Sequence, residues 1–422
     1  MQIVVFGLWH LGCVTAACCA RHFSVTGVDF DSKTIRELSA GKAPIHEPGL
    51  DELIVSGLRQ GRLTFSDDPI EPCSRADVVW LTYDTPINDN DESDVSFVLG
   101  QYRRCLPYVR PGAVILISSQ LPVGMCRVLE TEFSQFSFAY SPENLRLGRA
   151  LDAFERAERI VAGIRDHRVK PVLEKLFKPF TSQILWMRPE SAEMVKHGLN
   201  AFLALSIAFV NELARLCEQT GADAGEVSDG LKSDSRIGSR AYLVPGAAFA
   251  GGTLARDVVT LTRLGLDKQE PLMVIPAIKE SNDQHRKWAA RKLESKLGFL
   301  GGRTIAVLGL TYTANTNTLR RSLAIELVRQ LVDAGARVRA FDSAVKELPA
   351  NLSNVHSAES LDGALAGADA AVVCMESPEL HQADWGRLLM SMNRRLVVDP
   401  NGFLEKELGG HPSVEHISVG RS

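Results

Sequence analysis

Residues 3–12 read IVVFGLWHLG and residues 304–310 read TIAVLGL. Each is a short apolar run, rich in β-branched side chains, that stops at a glycine and gives way to a helical pattern. A buried parallel strand feeds the helix of a βαβ unit in this way. After the first copy, Gly12, Ala16, Ala17 and Ala20 are small enough for a helix to pack closely, and Val25-Thr26-Gly27-Val28-Asp29 reads as a second strand ending in an acid. The second copy repeats the plan with a helix from about Ser322 to Ala334 and a strand Arg337-Val338-Arg339-Ala340-Phe341-Asp342. The repetition predicts two Rossmann-like sheets, each built to handle a nucleotide.

Working outward, strand-like runs at 2–6, 25–29, 78–82, 113–118, 137–140 and 159–163 alternate with helical patterns. That alternation predicts an α/β fold with a mainly parallel sheet over residues 1–188. One long helix is predicted from about 189 to 219, opening at Pro189-Glu190 and closing at Gly221. Its middle is apolar on almost all sides, which predicts burial between domains or against a second subunit. Asn211 and Glu212 interrupt it, so it reads as too short to cross a bilayer, and no membrane segment is expected. Shorter helices follow, and Gly298, Gly301 and Gly302 mark a boundary before the second sheet. The predicted organisation is a sheet domain (1–188), a long central helix with a small helical dimerisation region (189–300), and a second Rossmann-like domain (301–422).

A chain of 422 residues, 45% hydrophobic and 23% charged, has the composition of a soluble globular protein. A formal charge of −4 without a basic arm argues against nucleic-acid binding. The eight cysteines (13, 18, 19, 73, 105, 126, 217 and 374) show no C-x-x-C pairing and no ligand spacing with histidine, so no metal is expected. The first helix uses three of them as small hydrophobes. Reduced thiols, and a start that enters a strand without a basic leader, predict a cytoplasmic protein.

Gly7-Leu8-Trp9-His10-Leu11-Gly12 keeps the outer glycines of a G-x-G-x-x-G turn but carries Trp9 where the middle glycine usually approaches a pyrophosphate. Asp29 suits a ribose hydroxyl and would repel a 2′-phosphate, which favours NAD over NADP; a helix cap is its other reading. Lys196 and Asn200, at i and i+4, share a helix face. They either meet a sugar hydroxyl or bound anion, or form a buried structural pair. Ser141-Pro142-Glu143-Asn144 follows a strand at the edge where α/β sheets place ligands, so Glu143 is a candidate base or a solvated loop acid. The stretch PGAAFAGGTLARD at 245–257 suits close backbone contact with a substrate, or a plain turn between helices.

Further segments stand in order along nearly the whole chain: GVDFD at 27–31, PIHEPGL at 44–50, DTP at 84–86, SSQLPVG at 118–124, SPENLRLGRAL at 141–151, AEMVKHGLNAFLA at 192–204 and SDSRIG at 233–238. Together with the GGTLARD segment, they resemble the UDP-glucose/GDP-mannose 6-dehydrogenase family. The resemblance implies oxidation of a nucleotide sugar at its C6 hydroxyl in two NAD-dependent steps, within polysaccharide biosynthesis, through a cysteine-bound thiohemiacetal and thioester. It further implies Lys196 as the oxyanion stabiliser, Asn200 as its partner, Glu143 as acid/base and Asp257 as the group that positions water. Thr253 stands beside them in the catalytic set. The implied NAD contacts are Gly7, Trp9, His10, Leu11, Gly12, Asp29, Thr85, Pro86, Gln120 and Arg320. Leu145, Phe249, Gly251 and Gly252 are implied on the substrate side, and Arg236 as an arginine reaching a neighbouring subunit's site in a homodimer.

The departures from that pattern are chemical. The family's Gly-Gly-Ser-Cys is Gly251-Gly252-Thr253 here, without the thiol. A threonine alkoxide is far harder to generate than a thiolate, and no base stands beside it in sequence. Gln120 replaces a threonine, Thr313 beside Tyr312 replaces a lysine, and Asp399-Pro400-Asn401-Gly402 lacks an expected arginine. Three readings follow: a nucleotide-sugar dehydrogenase working without covalent catalysis, a full four-electron enzyme borrowing a cysteine such as Cys126, and a non-catalytic binding protein derived from a dehydrogenase.

Overall fold

The computed structural model describes residues 1–88, 91–143, 145, 147–314 and 316–421. They form two compact units, Met1–Leu199 and Asn200–Ser422.

The first unit holds eight strands: β1 (Gln2–Phe6), β2 (Ser24–Val28), β3 (Leu63–Ser66), β4 (Val78–Leu81), β5 (Val114–Ile117), β6 (Ser137–Tyr140), β7 (Ile160–Ile164) and β8 (Ile184–Met187). Their order is β3-β2-β1-β4-β5-β6-β7-β8, and every pair is parallel except β6 with β7. The alternation of β1 explains why the strand is apolar throughout. Ile3 and Val5 face one hydrophobic cluster, while Val4 and Phe6 face the other. The strands β3 and β8 add to those expected from the sequence pattern. They are four-residue edge strands of mixed exposure, and such segments lack the continuous apolar run that betrays a central strand.

The second unit carries β9 (Thr304–Leu308), β10 (Arg337–Phe341), β11 (His356–Ser357), β12 (Ala370–Val373), β13 (Leu396–Val398) and β14 (Glu415–Ile417). Their order is β11-β10-β9-β12-β13-β14. Both sheets therefore reverse strand order beside their first strand, at β1/β4 and at β9/β12, which opens a crevice at the carboxyl ends of the strands.

The central helix runs Pro189–Thr220 and ends at Gly221, whose φ of +80° is the left-handed stop that glycine supplies. It is longer than its two polar residues suggested, and by length and composition alone it could cross a membrane, although 44% of its apolar window is buried in protein. Asn200 and Asn211 on it are buried, and each is hydrogen-bonded to protein. Those are the marks of a core helix. One stripe stays outside: Phe202, Phe209 and Leu216, spaced seven residues apart, are 65%, 46% and 62% exposed.

Candidate active site

In the first unit, Gly7 closes β1 with a φ of +101°. A Cβ there would lie 2.7 Å from the Tyr83 ring, and one on Gly12 would lie 1.8 Å from the Gly7 carbonyl oxygen. Only glycine fits at either position. Gly12→Ala should destabilise this unit by about 1–3 kcal/mol and weaken NAD binding with it; urea unfolding and NADH fluorescence titration read the two effects.

Trp9 has a φ of −101°, which any residue adopts, so the backbone does not require glycine at the middle position. Its ring is 46% exposed. The first helix (His10–Ala20) has no side-chain cap, leaving its leading amides to ligand oxygens. Asp29 is not a helix cap, because Asp31 fills that role by accepting from Lys33 N and Thr34 N. Instead Asp29 Oδ2 accepts from Leu8 N at 2.7 Å, which fixes its carboxylate at the crevice. Uncapped amides, a glycine cradle and an acid at the end of β2 fit a dinucleotide.

The second unit repeats the latch: Asp342 Oδ2 accepts from Leu310 N at 2.6 Å and Thr311 N at 3.1 Å. Here, however, the helix begins only at Leu323, and its amides are capped by Ser322. The crevice remains, a cleft of about 440 Å³ lined by Gly309, Asp342, Ser343, Glu376 and His381.

At the carboxyl edge of the first sheet, loops are tied to one another and to the central helix. Thr85 Oγ1 donates to the Gln120 carbonyl at 2.6 Å, and His197 Nε2 bonds the Leu121 carbonyl at 3.0 Å. Glu193 accepts from Gly124 N at 2.6 Å and Cys126 N at 2.8 Å; burial pushes its carboxyl above the usual range while those amides oppose the rise. Lys196, 5% exposed, donates to the Glu143 carbonyl at 2.6 Å and to Oε1 at 3.1 Å. Glu143 Oε2 accepts from Leu145 N at 2.7 Å. Glu143 is thus a carboxylate aimed by a buried ammonium rather than a loosely solvated acid. Leu145 joins Trp80 and Phe154 around a cavity of about 80 Å³ beneath this loop. Asn144 and Arg146 of the same loop lie outside the described residues.

In the second unit, Asn200 Nδ2 donates to Asp257, which is fully buried. Lys196 and Asn200 therefore each find a separate carboxylate. Gly251 and Gly252 are buried, and Gly252, with a φ of +103°, starts the helix Thr253–Asp267 without a side-chain cap. Thr253 is the first residue of that helix and is exposed. Phe249 supports this turn from below. Its ring is 6% exposed, and its backbone is clasped by Asn282 at 2.9 Å in both directions. Arg320 is exposed, and Arg236, also exposed, pairs within its own loop with Asp234 at 2.7 Å. Among the described residues no group of three or more metal-capable side chains occurs.

His285 holds the start of the glycine-rich stretch: Nε2 donates to the Gly246 carbonyl at 2.8 Å, and Nδ1 accepts from Arg215 Nη1 at 3.1 Å. Burial, helped by Arg215, lowers its pKa from 6.5 to about 4. Below pH 6.5 the unfolded chain takes up a proton that the folded chain declines until about pH 4. Stability is therefore lost as pH falls through that window, by about 2 kcal/mol between pH 7.5 and pH 5. Urea midpoints at the two pH values, compared between wild type and His285→Asn, isolate this contribution.

The thiols stand apart from this chemistry. All eight cysteines are free and seven are buried. Cys126 is 1% exposed, and burial with the nearby Glu130 and Glu193 carboxylates pushes its thiol far up. Burial likewise pushes Cys374 up to about 12. Neither is a ready nucleophile near neutral pH.

The sequence matches three successive family models: the NAD binding domain of the UDP-glucose/GDP-mannose dehydrogenase family over residues 1–181, its central domain over 190–284, and its UDP binding domain over 306–406. The chain belongs to the UDP-glucose/GDP-mannose dehydrogenase family. This family member is 33% identical to the UDP-glucose 6-dehydrogenase of Rhizobium meliloti, with all of both chains covered. It is 31% identical to the UDP-glucose 6-dehydrogenase TuaD of Bacillus subtilis, covering all of this chain and 93% of the relative. Its structure resembles a UDP-glucose dehydrogenase from Pyrobaculum islandicum with a TM-score of 0.89 at 28% identity, over 100% of this chain and 98% of the other. The protein is accordingly an NAD-dependent oxidoreductase acting on a nucleotide sugar.

Sequence reasoning missed Glu193, His197 and Glu47, whose carboxylate accepts from Gly148 N and Ala150 N after the Glu143 loop, as site-building residues. Their only signal was position, on the polar face of the central helix or inside the PIHEPGL loop. None could be assigned a partner from spacing.

Proposed function

We propose that this protein oxidises a UDP-sugar with NAD without a covalent enzyme intermediate. The observation that carries the reading is the Lys196–Glu143 pair at 3.1 Å, present while the stretch Gly251-Gly252-Thr253-Leu254-Ala255-Arg256-Asp257 holds no thiol. Lys196 stabilises the oxyanion that develops at the reacting carbon, Glu143 moves the proton, and Asp257, oriented by Asn200, positions water. Gly7, Trp9, His10, Leu11, Gly12 and Asp29 hold the cofactor, with Thr85, Pro86, Gln120 and Arg320. When bound, NAD supplies the hydride acceptor. Leu145, Arg236, Gly251 and Gly252 contact the sugar nucleotide, with Phe249 as support beneath.

The test is product analysis across UDP-, GDP-, ADP- and dTDP-sugars with NAD. One NADH per sugar marks a reaction that stops at the aldehyde or ketone level. Two NADH with a uronate marks passage through a hydrated aldehyde. A sugar adduct trapped on any cysteine overturns the non-covalent reading.

The assembly we favour is a cytoplasmic homodimer with Arg236 reaching the partner's site, organised as domains 1–188, 189–300 and 301–422. The three family models fall inside those bounds, and the exposed Phe202, Phe209 and Leu216 stripe supplies an apolar face. Phe209→Glu should shift the protein from dimer to monomer in sedimentation velocity; a wild-type monomer at micromolar concentration overturns the assembly.

A further inference from the structure

Glu47 lies in the PIHEPGL loop, is 4% exposed, and plays no part in the chemistry above. It is nonetheless fully engaged. Its Oε2 faces His10 Nε2 at 2.9 Å and accepts from Gly148 N at 2.9 Å, while Oε1 accepts from Ala150 N at 2.8 Å. His10 is the first residue of the helix that follows the dinucleotide turn. Gly148 and Ala150 close the loop that carries Glu143. Gly148 has a φ of +86°, a left-handed turn. Ala150 opens the helix Ala150–Glu155, which has no side-chain cap of its own. One buried carboxylate thus holds the far end of the Glu143 loop and the start of the cofactor helix together.

The near end of the loop is pinned separately, by Ser141 Oγ donating to the Val161 carbonyl at 2.8 Å and Ser118 Oγ donating to the Ser141 carbonyl at 2.5 Å. Between these anchors, Lys196 grips Glu143. Among the described residues, the far anchor reaches the start of the cofactor helix through His10. A buried carboxylate with three partners loses much if one partner moves, because the remaining lone pairs cannot turn to water. A ligand that orders His10 therefore also orders Gly148 and Ala150.

We propose that Glu47 is a positioning residue that couples occupancy of the NAD crevice to the placement of Glu143. The proposal rests on the assignment of Glu143 as the acid/base. It predicts that NAD binding tightens this loop through a side chain on another segment.

Hydrogen exchange on the whole protein tests it. Saturating NAD should slow exchange in peptides covering 145–151 of the wild type. His10→Ala should abolish that slowing while NAD still protects the Gly7 turn. In turnover, Glu47→Ala should lower kcat about 10- to 100-fold, the cost of a misplaced catalytic group, and raise the KM for NAD severalfold. Glu47→Gln, which keeps an acceptor for Gly148, should recover part of both; a merely structural loss would cut kcat with the active fraction and leave that KM unchanged. No NAD-dependent slowing at 145–151 in the wild type, or slowing that survives in His10→Ala, overturns the proposal. If no nucleotide sugar is turned over at all, the catalytic reading of Glu143 falls instead, and the exchange experiment still decides whether Glu47 couples the two segments.

Discussion

Lys196→Ala should lower the rate of NADH formation about 10²- to 10³-fold, the usual cost of removing one group that stabilises a developing oxyanion. The reason is geometric. The ammonium is 5% exposed, so its charge is poorly screened, and it holds Glu143 by two contacts of 2.6 and 3.1 Å. Its loss removes charge stabilisation and releases the carboxylate in one step. The effect should fall on kcat, because the cofactor turn is built from other residues; NADH affinity should stay within about twofold. Stability should fall by less than the ~3–5 kcal/mol of a fully buried broken pair, since the Glu143 side chain is 24% exposed and water can replace the ammonium. Steady-state kinetics, NADH titration and thermal unfolding read the three quantities. A loss in kcat below about tenfold would leave Lys196 a structural residue.

Thr253→Cys should change the chemistry rather than the rate alone. Thr253 opens a 15-residue helix with no side-chain cap, a position where the helix dipole favours a thiolate. The residue is exposed, so the swap should cost no more than about 0.5 kcal/mol. Given nucleotide sugar and NAD, the variant should accumulate a sugar-derived adduct on the introduced thiol in intact-mass spectra, whereas the wild type should show none. If the wild type stops after one NADH per sugar, the variant should move toward two with a uronate product. A variant with no adduct and an unchanged ratio would mean that the turn no longer presents this position to the substrate.

Much of this protein was readable from local pattern. The twin runs at 3–12 and 304–310 became β1 and β9, because strand burial and the glycine stop are written in consecutive residues. The central helix was legible for the same reason. Strands β3 and β8 were not, since four half-exposed residues carry little periodic signal. The choice between ribose ligand and helix cap for Asp29 could not be made from spacing; Asp31, two positions away, turned out to be the cap. The burial of Phe249 beneath its turn was equally invisible, because a glycine-rich stretch does not announce which of its side chains points inward.

The chain by itself determined the two sheets, the helix between them, the absence of cysteine from residues 245–257 and the family. Those features are set by residue identity and by periods of two and 3.6 residues. The tertiary structure decided which polar groups act together. Lys196 meets a carboxylate 53 residues away, Asn200 one 57 residues away, and Glu47 an amide 101 residues away. Such partners are chosen when sheets and helices close around buried charges that must find hydrogen bonds. The uncapped helix at Gly7 and the Ser322-capped helix at Gly309 show the same division. Two similar beginnings in the sequence became one turn that runs straight into an uncapped helix and one whose helix starts later under a serine cap.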